Sequence, residues 1–355
     1  MKASRDILVI DFLNQIKFNP LLPPPGVSVK YWIDCFADIF IQAFSLFDGT
    51  KNYLIETLNY LFTRNNMPTI HDLYRLVKSH SFPVYSRFAR YQESALNRLG
   101  GLKSSLGDIF TYPCISLEEI VKRHVIFEIQ MLTSEQQIFV VNILLTWLFI
   151  YKLYNYFDRY SIVGVDDANL LFDRSFEHRP DHGLPIISHL VATIRKFKIF
   201  IIVSTQIPHQ LGASIHSNAY TKIMLSLANG LDIDMMANSM GIKDKDQLQY
   251  CHKLGQREAV IKFSGRYQEP FLGYIPEIDM FNDNITDEDI SQNNARILAA
   301  IPLLQPPEQT RTVSEPETIH DGEQLSQEET AFLWDVQNRP YISVTERYRT
   351  IDMGG

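Results

Sequence analysis

The stretch SIVGVDDANLLF, residues 161–172, runs apolar and small residues straight into two adjacent carboxylates, Asp166 and Asp167. A buried parallel strand ends this way when it delivers acidic side chains to a magnesium-bound nucleotide. One carboxylate then holds the metal through its water shell, and a second orients or deprotonates the attacking water. Asp166 suits the first role and Asp167 the second. The plain alternative is a strand followed by an acidic turn that caps the next helix.

A second strand end tips the balance. The apolar run KIFIIVST (198–205) closes on Ser204 and Thr205 and is followed by Gln206. In a parallel α/β sheet the C-terminal strand ends gather along one edge, and ligands bind there. A neutral amide at that edge hydrogen-bonds a γ-phosphate or an attacking water without competing for magnesium. With the amphipathic stretch PIISHLVATIRKF (185–197) between them, the two strand ends form one constellation, and the nucleotide reading is preferred.

Further strands are expected at DILVID (6–11) and VIFEI (125–129), with TKIMLSL (221–227) and EAVIKFS (258–264) at the far edge. Apolar strands without alternation, separated by helices, imply a mostly parallel sheet with helices on both faces. From residue 29 to 106 the apolar spacing turns helical, with Thr69 and Asp72 in capping positions, and reads as a helical insertion. Residues 134–157 read as a long buried helix capped by Ser134. Its apolar centre, 138–151, is shorter than the roughly 18 residues of a membrane span, so no transmembrane segment is expected. The expected organisation is a core over 1–281, an acidic linker with one short helix over 282–322, and a helical module beginning at 323–355.

Composition narrows the class further. With 45% hydrophobic and 21% charged residues the chain is globular, and its net charge of −8 offers no overall basic field to nucleic acid. A ring-shaped motor nevertheless needs only a few cations lining its pore. Cys35, Cys114 and Cys251 lie far apart, which argues for a reducing compartment and against a disulfide scaffold or a cysteine zinc site. The N-terminus has no signal-peptide pattern, so a cytoplasmic location is expected. HRPDH (178–182) places two histidines beside Asp181, but Pro180 interrupts any helix and no fourth ligand follows, so it reads as a solvated loop. Neither G-x-S-x-G nor H-E-x-x-H occurs.

The order FNPLLPPPG (18–26), VIFEI, a long apolar helix, IVGVDD, IRKF, IFIIVSTQIPHQL (199–211), KIMLSL and GQREAVIKFSGRYQEPF (255–271) resembles the HerA/FtsK superfamily of hexameric P-loop ATPases over residues 6–276. The resemblance implies a RecA-like core that couples ATP hydrolysis to DNA translocation, as in conjugation and type IV secretion. It implies ATP and Mg2+ as ligands, a homohexamer, DNA as a partner and peripheral contact with a membrane secretion complex. Asp166 then becomes the Walker B acid, Asp167 stands where a Glu is commoner, and Gln206 is the strand-end sensor. An arginine from a neighbouring subunit completes such sites; Arg195 is the first candidate and Arg266 the second. The bland readings are a helix-end charge for Arg195 and a turn charge for Arg266.

One part is missing. No G-x-x-x-x-G-K-[ST] phosphate loop occurs in the 355 residues. LGGLKSSLG (99–107) fails on spacing and is expected to be a loop between helices. In the superfamily the phosphate loop precedes FNPL, so the chain is expected to begin downstream of it. LSQEETAFLWDVQNRPYISVTERYRTIDM (325–353) resembles the opening of a winged-helix module, so the chain is expected to stop inside it. The alternative is a structural or adaptor subunit that keeps the ATPase fold without catalysis.

Overall fold

In VKYWIDCFADIFIQA the apolar side chains recur every three or four residues, and the segment forms α1 (Val29–Ala43). Trp32, Ile33, Phe36 and Phe40 face inward, while Lys30 and Asp34 face solvent. Three more helices complete the expected insertion: α2 (Asp48–Arg64), α3 (Ile70–Ser79) and α4 (Arg87–Leu106). Thr69 and Asp72 close a reciprocal capping box at the start of α3. The stretch LGGLKSSLG differs from its expected loop: residues 99–106 are the last two turns of α4. Leu99, Leu102 and Leu106 fall on one face and are buried, and this outweighs the low helix propensity of Gly100 and Gly101.

The computed structural model describes residues 7–11, 17–155, 159–177, 194–267, 269–277 and 285–305. HRPDH, most of the helix expected at 185–197, and the module expected at 323–355 lie outside them.

Ahead of the insertion, FNPLLPPPG turns around a buried amide. Asn19 Nδ2 donates to Pro68 O (2.7 Å) and Tyr112 Oη (2.9 Å), and its Oδ1 accepts from the Leu21 N–H (3.0 Å). The Trp32 indole N–H donates to Pro20 O, so the prolines are pinned to the first helix of the insertion.

After a short strand β2 (Cys114–Ile115), α5 (Leu117–Val121) leads into β3 (His124–Glu128). The long helix α6 (Ser134–Tyr154) follows. Its cap is Thr133, boxed with Gln136, one residue before the expected Ser134. By length and hydropathy this helix passes as a membrane span, yet 72% of its apolar window is buried within the molecule. Phe139 sits against the rings of Phe36, Phe40, Phe44 and Phe110, with centroids 5.7–6.2 Å away. It is the core helix that the sequence implied.

The strands bear out an α/β fold with parallel pairing, but differ from the expectation in detail. β1 (Ile7–Asp11) pairs parallel with β3, from Ile7↔His124 to Asp11↔Glu128. β4 (Ser161–Val165) pairs parallel with β5 (Ile199–Val203), from Ser161↔Ile199 to Val165↔Val203. Among the described residues these pairs do not join into one ladder. Nor do 221–227 and 258–264 extend it. β6 (Thr221–Met224), β7 (Glu258–Phe263) and β8 (Phe271–Tyr274) form a separate antiparallel sheet. A short turn through Gly265, at φ 94°, leads from β7 towards β8, and so short a connection joins only antiparallel neighbours. This sheet shares a second core with α9 (Gly230–Met240) and α10 (Lys245–Cys251), built on Met224, Ile233, Met240 and Val260.

Within the β4–β5 pair, Val163, Val165, Ile201 and Val203 pack on the main core. On the opposite face Ile162 is 70% and Ile202 61% exposed, whereas runs apolar on both faces led to the expectation of two covered faces. The heads of the two strands are tied by buried Lys152, whose Nζ donates to Arg159 O (2.5 Å) and reaches Lys198 O (3.5 Å). Burial, then the nearby Lys198 charge, lowers its pKa from the usual lysine value.

Part of the expected linker is ordered onto the core. α11 (Asp287–Leu298) lays two asparagines along β1: Asn294 exchanges hydrogen bonds with the Val9 N–H (3.1 Å) and C=O (2.5 Å), and Asn293 donates to Ile7 O (2.8 Å). These amides satisfy a strand edge that would otherwise be open. Beyond it, β9 (Leu303–Leu304) pairs antiparallel with β2.

Candidate functional site

In-register parallel pairing decides the geometry. Because Val165 faces Val203, the next residues, Asp166 and Ser204, also lie side by side at the C-terminal edge. The Ser204 hydroxyl donates to Asp166 Oδ1. The backbones are stitched as well: the Ser204 N–H donates to Val165 O, and the Ala168 N–H returns to Ser204 O, both at 3.0 Å.

Between these bonds the chain turns at Asp167, whose φ of 45° and ψ of 46° are left-handed. Asp and Asn are the non-glycine residues that tolerate this conformation most readily. The turn leaves both carboxylates exposed above buried Ala168. One position further, the Thr205 hydroxyl donates to Asn169 Oδ1 and accepts from the Ile207 N–H (3.0 Å). Gln206 lies exposed between these anchored residues.

The structure therefore brings Asp166, Asp167 and Gln206 to one edge. Ser204 and Asn169 join them there. Ser204 carried a signal, as a hydroxyl at a strand terminus. Asn169 carried none, because its partner is 36 residues away.

The arginines are not brought there within the same chain. The backbone of Arg195 lies in a 3-10 turn, Ile194–Phe197, just ahead of β5, and its side chain is outside the described set. It is separated from the Asp166 edge by the length of a five-residue strand, about 17 Å. Arg266 follows β7 in the other sheet, and its guanidinium carbon lies 5.5 Å from the centroid of the Tyr267 ring.

Two exposed carboxylates, one already accepting a hydroxyl, are too few to enclose a metal. No group of three or more His, Cys, Asp or Glu is placed to hold one among the described residues. The donor set does fit magnesium carried in by a nucleotide, since that ion keeps its waters and phosphate oxygens and takes only one or two carboxylates from protein.

Past Gln206 the chain enters a 3-10 turn, Pro208–Gln210, and α8 (Ala213–Asn218). The Gly212 N–H donates to Phe172 O (2.7 Å), and Asp173 pairs with Leu211, just ahead of the short helix α7 (Arg174–Glu177). The two loops that leave the edge are thus held to each other.

No family model and no curated protein matches the chain. Solved structures do. The bacterial conjugative coupling protein TrwBdeltaN70, in its unbound form, is 10% identical with a TM-score of 0.59, covering 80% of this chain and 76% of its own. VirB4 of Thermoanaerobacter pseudethanolicus is 14% identical with a TM-score of 0.54, covering 79% and 83%. The plasmid coupling protein TrwB in complex with ADP and Mg2+ is 11% identical with a TM-score of 0.57, covering 78% and 75%. At such identities the likeness speaks for the fold alone, an α/β architecture that the chain shares with these proteins.

Proposed function

We propose that the chain is the core of a HerA/FtsK-like motor subunit that couples ATP hydrolysis to movement of DNA through a ring of identical subunits. The observation that carries the reading is the meeting of Asp166, Asp167 and Gln206 at the C-terminal edge of β4 and β5. Asp166 holds the water shell of the nucleotide's magnesium, Asp167 orients the attacking water, and Gln206 senses the γ-phosphate. The 17 Å or so between Arg195 and this edge suits an arginine that serves the site of a neighbouring subunit. A phosphate loop is required from outside these 355 residues.

The test is phosphate release at saturating Mg·ATP. The chain alone is expected to give background rates, because the G-x-x-x-x-G-K-[ST] motif that supplies backbone N–H groups to the β-phosphate and a lysine to the γ-phosphate does not occur in its sequence. Fused behind a strand, phosphate loop and helix, it is expected to turn over. Asp167→Asn should then abolish hydrolysis and spare nucleotide binding, since Asn keeps the left-handed turn and removes only the charge. Robust turnover by the unfused chain would overturn the reading. The missing phosphate-loop motif favours one rival, a structural subunit; a fusion that binds Mg·ATP and assembles but never hydrolyses would support it.

A further inference from the structure

The helical insertion has a charge of its own. Residues 64–103 hold seven Lys or Arg against two acidic residues, Asp72 and Glu93, in a chain with 33 against 41. Several of the seven are engaged: Arg75 with Asp72, Arg98 with Glu135, and Lys103 over the Tyr74 ring. Lys78, Arg87 and Arg90 are exposed and have no ion pair among the described residues. All three flank the loop between α3 and α4.

That loop also carries the two most exposed large apolar side chains of the insertion: Tyr85 is 96% and Val84 82% exposed, and Phe88, in the first turn of α4, is 50% exposed. The loop supporting them is built to stay in place. Phe82 stacks on Phe88 (5.7 Å, 25°) and meets Tyr53 and His80 edge-on. Tyr53 Oη is 2.8 Å from His80 Nδ1, and Gln92 Nε2 donates to Val77 O and His80 O. The Ser86 N–H closes a turn onto Pro83 O, and its hydroxyl caps α4 at Ala89 N. Folding thus fixes the scaffold and leaves one phenol ring almost wholly in water, which hydrophobic burial does not explain.

We propose that the α3–α4 tip is a binding site for single-stranded nucleic acid, with Tyr85 as the stacking platform for a base and Lys78, Arg87 and Arg90 as phosphate contacts. An exposed ring on a fixed scaffold, flanked by unpaired cations, is the combination that holds single strands: stacking is indifferent to sequence, and the charges follow the backbone. Arg87 and Arg90, three apart on α4, put their Cβ atoms about 5–6 Å apart, a spacing that serves neighbouring phosphates. Charge complementarity is local, since the rest of the chain is net acidic and repels the same ligand. The site stands apart from the Asp166 edge and needs no nucleotide.

The experiment is fluorescence anisotropy of a labelled oligothymidylate of about 20 nucleotides, longer than the roughly 4–16 that a single-strand module covers. The full chain is titrated without ATP, so the result is independent of whether it hydrolyses. Tyr85→Ala is expected to weaken binding roughly 5- to 100-fold, and Tyr85→Phe to keep it. Arg87→Gln combined with Arg90→Gln should reduce the steepness of the salt dependence by about 1.4 in log–log slope. These side chains are exposed, so the thermal melt of each variant should match the parent. Absence of binding at about 50 mM salt would overturn the proposal, as would binding that ignores both sets of variants. Displacement of the oligonucleotide by polyglutamate of equal charge, with Tyr85→Ala silent, would overturn it in favour of an acidic protein partner. Equal affinity for duplex DNA, with Tyr85→Ala again silent, would also overturn it.

Discussion

Asp232, 2% exposed at the first turn of α9, accepts two hydrogen bonds from His209: from the backbone N–H at 2.8 Å and with the ring Nδ1 at 2.9 Å. His209 lies three residues past Gln206, so this pair anchors the loop leaving the candidate site to the second hydrophobic core. A carboxylate so buried is tolerable only with its partners present. Asp232→Ala should lower stability by about 2–3 kcal/mol, and Asp232→Asn by less, because the amide oxygen still accepts. Urea unfolding of both variants measures this; an unchanged midpoint for Asp232→Ala would show that the loop is held by other contacts.

The tip of the insertion should loosen in mild acid. Burial lowers the His80 pKa below its ordinary 6.5, and burial pushes the Tyr53 hydroxyl up to about 12. Tyr53 therefore stays protonated and shares a hydrogen bond with neutral His80. Because the folded-state pKa is depressed, the unfolded chain binds the proton more readily. The stabilisation is present above pH 6.5 and is lost as pH falls through the lower, folded-state value. Melting curves from pH 8 to pH 5 should show this loss in the parent and a smaller one in His80→Gln.

Thr146, 1% exposed in α6, has a hydroxyl without a hydrogen-bond partner among the described residues. An unsatisfied buried hydroxyl costs about 1–3 kcal/mol. Replacement by Val keeps the shape and removes the orphan group. Thr146→Val is expected to raise the denaturation midpoint by the equivalent of about 1 kcal/mol; a lower midpoint would mean that the hydroxyl finds a partner in solution.

At Phe139 the outcome is the reverse. Its ring is fully buried among four other phenylalanines, so Phe139→Ala leaves a cavity between α1 and α6. The expected loss is about 3–5 kcal/mol, read by urea unfolding, with Phe139→Leu losing less. A loss under about 1 kcal/mol would indicate that the surrounding rings collapse into the space.

Much of this architecture follows from local pattern. The spacing of apolar residues marked 29–106 as a helical insertion, Thr69 and Asp72 announced a capping box, and SIVGVDD and IFIIVSTQ showed both strand ends of the candidate site. These features need only neighbouring residues, because helix periodicity, capping and strand termination are set within a few positions of the chain. Tertiary structure decided what depends on distant partners. β6 and β7 resemble strands of any sheet until their antiparallel pairing sets them in a sheet of their own, and Leu99-Gly-Gly-Leu becomes helix because a buried face favours it. Asn294 on β1, Lys152 across two strand heads, Asn169 beneath Thr205 and Asp232 against His209 are all polar side chains whose partners lie between 7 and 285 residues away. Composition cannot reveal such pairs, since their worth arises only when folding removes water from both members at once.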